Sequence, residues 1–253
     1  MTPIQQLLQA SAIHPEWQQP LQNALHSVDS RYLQDLIADP QWLPGSHQLF
    51  SAFRRDRSHC RYILFGESPY PRRQSANGIA FYDAAVDEIW SDAGLSKAVN
   101  RATSLRNIMK TALLAEGLLQ PDSAGKVTQG AIVQLDKQGL IQTIDELFSA
   151  LQQRGLLLLN ATPVLHPARK PQIEARFWSD FVASLLQQIQ QHSAQLPTLL
   201  LWGKIAQQID TLESAGPYPR LISEHPYNLS FIQNDAMRAL FSEWKLLQKA
   251  NPD

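Results

Sequence analysis

The sequence predicts an α/β fold, a three-layer sandwich in which helices flank a central, mostly parallel, four-stranded sheet. Four short apolar runs have the length of buried strands, at residues 62–65, 156–159, 199–202 and 221–223. Segments with apolar residues at helical spacing separate these runs, and such alternation is typical of parallel sheets covered on both faces. A chain of 253 residues is long enough for one domain of this kind.

The first 42 residues are expected to form a helical extension, followed by the core of the domain at residues 43–234. Residues 46–55 carry three apolar residues at helical spacing, which predicts a helix just before the first strand. They are Leu49, Phe50 and Phe53. The helices of the extension are expected to be separated by prolines, at Pro15, Pro20, Asp39-Pro40 and Pro44.

Two helices are predicted between the first and second strands. Residues 104–115 have apolar residues at helical spacing, with Ser104 as the candidate N-cap. Residues 143–153 begin with Thr143 and have Glu146 three residues later, which is typical of a capping box. Both segments therefore have a sequence signal for where the helix begins.

The longest predicted helix covers residues 172–192 and lies between the second and third strands. Its apolar residues recur every four positions, which is typical of a helix packed on one side. They are Ile173, Phe177, Phe181, Leu185 and Ile189. Residues 82–104 and 120–138 are expected to be irregular or inserted segments.

Composition excludes several classes of protein and leaves DNA binding open. The net charge of −1 gives no indication of nucleic acid, so only local basic clusters remain, at Arg54, Arg55 and Arg57, at Arg72 and Arg73, and at Arg169 and Lys170. Each cluster is either a solvated loop or a phosphate site. The single Cys60 excludes an internal disulfide and a cysteine-ligated metal cluster.

We expect a cytoplasmic, monomeric protein with no metal and no cofactor. The first residues lack the basic and apolar regions of a secretory signal. No apolar run approaches the roughly 20 residues that a membrane span requires, so no membrane partner is expected.

Each predicted strand ends at residues that could bind a planar ligand with polar edges. Gly66-Glu67-Ser68-Pro69-Tyr70 follows the first strand, Asn160 the second, Gly203 the third and His225-Pro226 the fourth. The carboxyl ends of parallel strands meet at one edge of the sheet, and ligands bind at that edge. The sequence therefore predicts a ligand site there.

Each of these residues also has a purely structural interpretation. Tyr70 and Phe81 could stack on a flat ring or fill the core. Asn160 could pair with a base edge through its donor and acceptor, or begin a turn. His225, held beside a proline, could stabilise a developing anion or serve the fold. Leu229 would be an exposed apolar tip, and such wedges fill the stack that an extruded base leaves.

Together the fragments resemble the uracil-DNA glycosylase family. Its motifs are Gly-Gln-Asp-Pro-Tyr-His, Gly-Leu-x-Phe-Ser, Leu-Leu-Leu-Asn, Leu-Trp-Gly and His-Pro-Ser-Pro-Leu-Ser. The corresponding segments here occur in the same order, and weaker matches at 43–54 and 104–108 extend the resemblance over residues 43–234. They are Gly66–Tyr70, Gly78–Phe81, Leu157–Asn160, Leu201–Gly203 and His225–Ser230.

The resemblance implies a role for each residue of the base pocket. Tyr70 would exclude the 5-methyl group of thymine, and Phe81 would stack under uracil. Asn160 would pair with the uracil edge, and His225 would stabilise the O2 anion as the glycosidic bond breaks. Leu229 would occupy the gap in the DNA stack. The implied activity is removal of uracil, or a related damaged base, from DNA.

The resemblance also implies contacts to DNA. The expected partner is uracil-containing DNA, either single- or double-stranded. Ser104 and Ser230 match serines that contact phosphates. Arg169 and Lys170 lie where the family has a phosphate-contacting loop, and they could supply such contacts themselves. Tyr227-Asn228 replaces Ser-Pro beside the wedge.

The departures from the family concern the chemistry itself. Ser68 matches the catalytic Asp, and Pro71 matches the His that helps to hold the attacking water. A neutral serine can neither deprotonate water nor oppose a positively charged sugar. Glu67 is the candidate substitute, with Asp83 second. Two functions therefore remain open: a DNA glycosylase, or a catalytically weak or silent member that binds DNA or a protein.

Overall fold

A computed structural model describes residues 1–123 and 126–249 of the chain. Ten helices and six strands occur in the described part, together with short 3₁₀ segments. In chain order they are α1 (Pro3–Ala10), α2 (Pro15–Leu25), α3 (Ser30–Ala38), β1 (Tyr62–Gly66), β2 (Trp90–Ser91), β3 (Gly94–Leu95), α4 (Lys97–Arg101), α5 (Thr103–Ala115), α6 (Gln129–Gln134), α7 (Ile144–Gln153), β4 (Leu156–Asn160), α8 (Pro171–His192), β5 (Thr198–Trp202), α9 (Ile205–Asp210), β6 (Arg220–Ser223) and α10 (Asp235–Trp244).

The central sheet has the strand order β4–β1–β5–β6, and its strands are the four that the sequence predicts. β1 runs parallel to both of its neighbours, with Leu64 opposite Leu158 on one side and Leu200 on the other. These three leucines are at most 2% exposed, as expected for strands covered on both faces. The predicted α/β class, with helices flanking a parallel sheet, is confirmed.

The chain divides into two compact units. Residues 1–84 and 155–221 form the first unit, and residues 85–154 with those from 222 onward form the second. In the first unit the extension shares one core with the sheet, because Trp17 and Leu33 belong to the same buried cluster as Ile63. The sequence predicts a single domain with a helical extension at residues 1–42 and a core at residues 43–234, and this division stays a prediction.

The core of the second unit lies between α5 and α10. Met109 and Leu113 of α5 are fully buried, and Phe231, in the 3₁₀ helix Leu229–Gln233, packs against α5. The Phe231 ring also meets the Phe241 ring of α10 edge-on, with centroids 6.4 Å apart. Burial of these side chains joins the segment after β6 to α5.

The helix predicted over residues 46–55 is wrong. The segment forms consecutive turns, closed by hydrogen bonds from Gln48 to Gly45 and from Ser51 to Gln48, and a 3₁₀ helix at Ser51–Phe53. So short a segment gains little from helix cooperativity, so packing decides its conformation. The carbonyl of Gln48 passes so close to Gly78 that a β-carbon there would lie 1.8 Å away. The three apolar residues are buried nonetheless.

Two smaller predictions are also wrong. Pro20 lies inside α2 instead of ending it, because its ring is part of the buried face of that helix and only one backbone hydrogen bond is lost. Ser104 is not the N-cap of α5: the helix begins at Thr103, and α4 ends so close before it that Ala102 takes the cap position. The capping box of Thr143 and Glu146 is confirmed.

Candidate functional site

The ends of β1 and β4 hold the Gly-Glu-Ser-Pro-Tyr segment in place. Gly66 pairs with Asn160 in the parallel register, and the ladder continues beyond the strands. The backbone N–H of Ala161 donates to the carbonyl of Gly66 at 2.9 Å, and that of Thr162 donates to the carbonyl of Glu67 at 3.0 Å. The main chain at the start of the segment is therefore fixed by hydrogen bonds to the neighbouring strand.

Position 66 accommodates glycine without any displacement of its neighbours. A β-carbon there would lie 2.9 Å from the Asn160 side-chain oxygen and 3.0 Å from the β-carbon of Ala80. The Asn160 amide thus occupies the space that any larger residue would take, and Asn160 is only 9% exposed. The close approach explains why glycine ends this strand.

Phe81 has a backbone conformation that side chains rarely adopt, with φ of 64°. Such a conformation costs on the order of 1–3 kcal/mol and persists only where the surroundings enforce it. Here the N–H of Ala80 donates to the carbonyl of Leu158 in β4 at 3.2 Å, which fixes the chain just before Phe81. The Phe81 ring meets Trp202, at the end of β5, with centroids 5.3 Å apart and planes at 66°.

Tyr70 is joined to Phe81 by a hydrogen bond from its hydroxyl to the Phe81 carbonyl, at 3.3 Å. Burial, and secondly the negative charge of Asp83, raise the pKa of Tyr70 to about 12, although Arg72 acts against them. Tyr70 therefore stays protonated and remains a donor at neutral pH. The structure brings three predicted pocket residues, Tyr70, Phe81 and Asn160, together in the first unit.

An ion pair connects the two ends of the segment that carries Tyr70 and Phe81. Arg72 donates to the carboxylate of Asp83 at 3.0 Å, and the Asp83 side chain is only 6% exposed. One arginine of the predicted basic cluster therefore has an intramolecular partner. Asp83, the second candidate for the catalytic carboxylate, is buried and paired with Arg72.

The two residues at the position of the missing aspartate differ in exposure. Glu67 is exposed, whereas Ser68 is half-buried. The catalytic roles assigned to Glu67 and Ser68 stay predictions.

In the second unit, His225 begins a tight turn, and a backbone N–H of that turn orients its imidazole ring. The N–H of Asn228 donates to the His225 carbonyl at 2.9 Å, and the N–H of Tyr227 donates to Nδ1 of the imidazole at 3.1 Å. Since Nδ1 accepts a hydrogen bond, the proton of the neutral ring is assigned to Nε2. This tautomer presents a neutral N–H donor.

The predicted DNA contacts of the second unit lie near this turn and on α5. Leu229 is 67% exposed, as expected for a wedge. Ser230 is exposed, and its hydroxyl hydrogen-bonds the carboxylate of Glu224. Ser104 is half-buried in the first turn of α5. Their contacts with phosphate stay predictions.

The two basic residues before α8 have different surroundings. Lys170 is exposed at the N-cap of α8. Arg169 is paired with the buried Glu174 at 3.4 Å and with Asp35 at 3.8 Å, and it lies 5.2 Å from the centroid of the Tyr32 ring. This set of partners gives Arg169 a role within the protein, and its predicted contact with DNA phosphate stays untested.

A cleft of about 410 Å³ lies beside this segment in the first unit. Its lining is partly basic and consists of Gln41, Leu43, Pro71, Arg73, Leu165, His166, Pro167 and Arg169. The sequence did not single out Arg73 and His166 as neighbours of one cleft. Leu43 and Leu165 form a backbone bridge between distant segments, which no local pattern indicates.

Sequence reasoning also missed Trp202 as the partner of Phe81, although the Leu-Trp-Gly motif contains it. Among residues 1–123 and 126–249, no three His, Cys, Asp or Glu side chains are grouped so as to hold a metal ion. No helix within the same ranges is long and apolar enough to cross a membrane.

The chain was compared with family models and with known proteins. No family model matches the chain. The uracil-DNA glycosylase of Amoebophilus asiaticus is 26% identical over 184 residues, which is 72% of this chain and 68% of that protein. The uracil-DNA glycosylase of Corynebacterium glutamicum is 25% identical over 225 residues, covering 86% and 81% of the two chains.

Solved structures extend the likeness to the whole chain. The crystal structure of mimivirus uracil-DNA glycosylase supports the fold alone, with a TM-score of 0.57 and 14% identity over 87% of this chain and 71% of that one. The wild-type UNG of Nitratifractor salsuginis is 38% identical, with a TM-score of 0.92 over 99% of this chain and 100% of that one. Because identity at this level extends over at least 99% of each chain, the protein belongs to the uracil-DNA glycosylase family.

Proposed function

We propose that the protein is a DNA repair glycosylase that hydrolyses the N-glycosidic bond of uracil flipped out of DNA. The observation that carries this proposal is the close approach of Asn160 to Gly66, at 2.9 Å from the position of a β-carbon. Gly66, at the end of β1, has no side chain, and the nearly buried amide of Asn160 occupies the space beside it. This arrangement supports recognition of a base edge.

Base recognition in this proposal uses the first unit. The carboxamide of Asn160 offers one donor and one acceptor, which match the acceptor and donor on the edge of uracil. Phe81 provides an aromatic face for stacking. Its backbone is held by the hydrogen bond between Ala80 and Leu158, and its ring contacts Trp202. Tyr70 is assigned the exclusion of thymine by its bulk, because the 5-methyl group is what distinguishes thymine from uracil.

The leaving group departs as a uracil anion. The role of His225 in stabilising that anion stays a prediction from the sequence, and its tautomer supports it. A neutral imidazole with its proton on Nε2 donates a hydrogen bond that strengthens as negative charge develops on the acceptor.

Water must also add to the sugar carbon and lose a proton. We assign this proton to the Glu67 carboxylate, since Ser68 cannot accept it. A charge pair about 4 Å apart is worth about 4 kcal/mol at an effective dielectric constant near 20. Loss of such a pair slows a reaction by about a thousandfold, so the protein is expected to be slower than members of the family that have the aspartate.

The test is incubation with a single-stranded oligonucleotide that carries one uracil, followed by alkali and electrophoresis. We expect strand scission at the uracil and none in the matched oligonucleotide with thymine. Asn160→Ala and His225→Ala should each reduce the rate, whereas Ser68→Asp should increase it. Ser242→Asp, which adds the same charge at an exposed position of α10, is the control. No scission at a large excess of the protein would refute the proposal.

One observation favours a second candidate, a silent member that binds DNA without turnover. Ser68 and Pro71 stand where the family has both residues that act on water. In that case an oligonucleotide with an abasic site, or free uracil, would bind while no scission occurs even with Ser68→Asp. A reaction catalysed by the unmodified chain excludes this candidate.

The remaining properties belong to the same proposal. We propose that the protein binds DNA as a monomer in the cytoplasm, either single- or double-stranded. Comparison of the scission rate on the same strand alone and in a duplex identifies the preferred form. Sedimentation with and without oligonucleotide tests the monomer, and cell fractionation tests the location.

A further inference from the structure

Apart from Met1, the most exposed large apolar side chains among the described residues lie close together in sequence. Ile222 is 53% exposed, and Tyr227 and Leu229 are each 67% exposed. All three belong to the second unit and fall within the segment that begins in β6 and ends in the 3₁₀ helix. Leu229 has an assigned role as a wedge, whereas Tyr227 has none.

Tyr227 sits at the corner of a turn. The hydrogen bond from Asn228 to His225 closes a four-residue β-turn, with Pro226 as its second residue and Tyr227 as its third. Proline at the second position fixes the backbone in the conformation that the turn requires. The exposed tyrosine ring therefore projects from a corner whose conformation is largely set by sequence.

A buried asparagine holds the turn from inside the second unit. The side-chain amide of Asn107, fully buried in α5, donates to the carbonyl of Pro226 at 2.7 Å and lies 3.4 Å from the carbonyls of Tyr227 and Asn228. One side chain thus contacts three consecutive carbonyl groups. The turn that carries Tyr227 is fixed to a helix before any ligand arrives.

Glu224 connects the beginning of this segment to its end through hydrogen bonds. Its carboxylate accepts hydrogen bonds from Ser230 and from the Asn234 side chain, the latter at 2.8 Å. Burial acts to raise the pKa of Glu224, but hydrogen bonds from its own backbone, Ser230 and Asn234 outweigh it and lower the pKa. The carboxylate is therefore charged at neutral pH and joins both ends of the segment.

We propose that Tyr227 is a DNA-binding residue whose ring stacks on the face of a base next to the extruded nucleotide. This inference rests on the proposed function, and it assigns a contact beside the gap that Leu229 is predicted to fill. Every base has an aromatic face, so stacking does not require a particular sequence. A tyrosine on a fixed turn loses little conformational freedom when it stacks, because only two side-chain torsions must be ordered.

The test measures binding of the full chain to a fluorescent single-stranded oligonucleotide that carries one 2′-fluoro-deoxyuridine, whose glycosidic bond resists hydrolysis. Tyr227→Ala should raise Kd by about five- to 150-fold, the range for loss of one stacked base. Tyr227→Phe should stay within about twofold, because the ring is kept. Val133→Ala, which truncates an exposed apolar residue of α6, is the matched control.

A second readout separates stacking from other contacts. 2-Aminopurine placed next to the uridine should be quenched by the unmodified protein and by Tyr227→Phe, but not by Tyr227→Ala. Equal affinity and equal quenching for Tyr227→Ala and the unmodified protein would overturn the inference.

The two proposals fail in different ways. Excision of uracil with no effect of Tyr227→Ala on binding overturns the stacking role alone. Binding that depends on Tyr227, without any excision of uracil from a cleavable oligonucleotide, supports the stacking role and refutes the glycosylase. Absence of binding to any oligonucleotide overturns both.

Discussion

Gly66→Ala tests the geometry on which base recognition depends. The added β-carbon would lie 2.9 Å from the Asn160 side-chain oxygen and 3.0 Å from the β-carbon of Ala80, whereas ordinary contacts begin at 3.4 Å. The amide oxygen must therefore move by about 0.5 Å, and the Ala80 β-carbon, which moves only together with its backbone, by about 0.4 Å. The oxygen is at the end of a side chain, so the amide yields before the strand does.

Gly66→Ala is expected to lower both the rate of uracil excision and the stability of the fold. Misplacement by about 1 Å can cost about a hundredfold in rate, so half of that predicts a loss of about tenfold in kcat/KM. Overpacking costs about 1–3 kcal/mol, and the smaller entropy of unfolded alanine returns about 0.4–1 kcal/mol. We therefore expect the free energy of unfolding to fall by at most about 2.6 kcal/mol, which leaves the protein folded at the temperature of the assay.

The assay combines the rate of uracil excision with thermal unfolding of the same preparation. Gly130→Ala is the control, because Gly130 lies in α6 and an added β-carbon meets no atom within 4 Å. It should leave the excision rate unchanged and increase helix stability by about 0.5–1 kcal/mol. Unchanged kcat/KM in Gly66→Ala, while Asn160→Ala is impaired, would refute the reasoning about close approach.

Three further predictions follow from the described contacts. Arg72→Ala leaves the Asp83 carboxylate without its guanidinium, and because Arg72 is half-exposed we expect a loss of only about 1–2 kcal/mol in urea unfolding, which Asp83→Asn in the same chain should partly restore. Asn107→Leu should accelerate hydrogen exchange at residues 227–230 and weaken DNA binding, since the carbonyl of Pro226 loses its buried donor. Burial raises the pKa of Tyr70 to about 12, above the value near 10 of an unfolded tyrosine, so its contribution to stability is complete below pH 10 and lost as pH rises towards 12. The unmodified protein, but not Tyr70→Phe, should then show a step in tyrosinate absorbance near pH 12.

The sheet could be predicted because its signals are local. Continuous apolar runs such as Leu156–Leu159 indicate strands covered on both faces, and the capping box at Thr143 and Glu146 satisfies its own backbone groups. The sequence contains no local signal that residues 46–55 form turns instead of the predicted helix. These turns follow from packing against Gly78, more than twenty residues away.

The site was predictable in its residue types but not in its supports. Asn160 was indicated by its position after a strand and Phe81 by the Gly78–Phe81 motif, and the structure places both in the first unit. The strained backbone of Phe81, its contact with Trp202 and the contact of Asn107 with three carbonyls have no local signature. They depend on atoms brought together by the fold, which spacing along the chain does not reveal.

The replacement of aspartate by Ser68 separates two parts of the proposed reaction. The contacts that shape the base pocket, from Gly66 to Asn160 and from Phe81 to Trp202, include no atom of Ser68. Recognition of the base can therefore be complete while the charge that opposes the sugar cation is absent. An interaction made only in the transition state acts on kcat, whereas one made equally in the ground state acts on KM. The increase in rate expected from Ser68→Asp should consequently be found in kcat, with KM almost unchanged, whereas an equal change confined to KM would place Ser68 in the binding of the base.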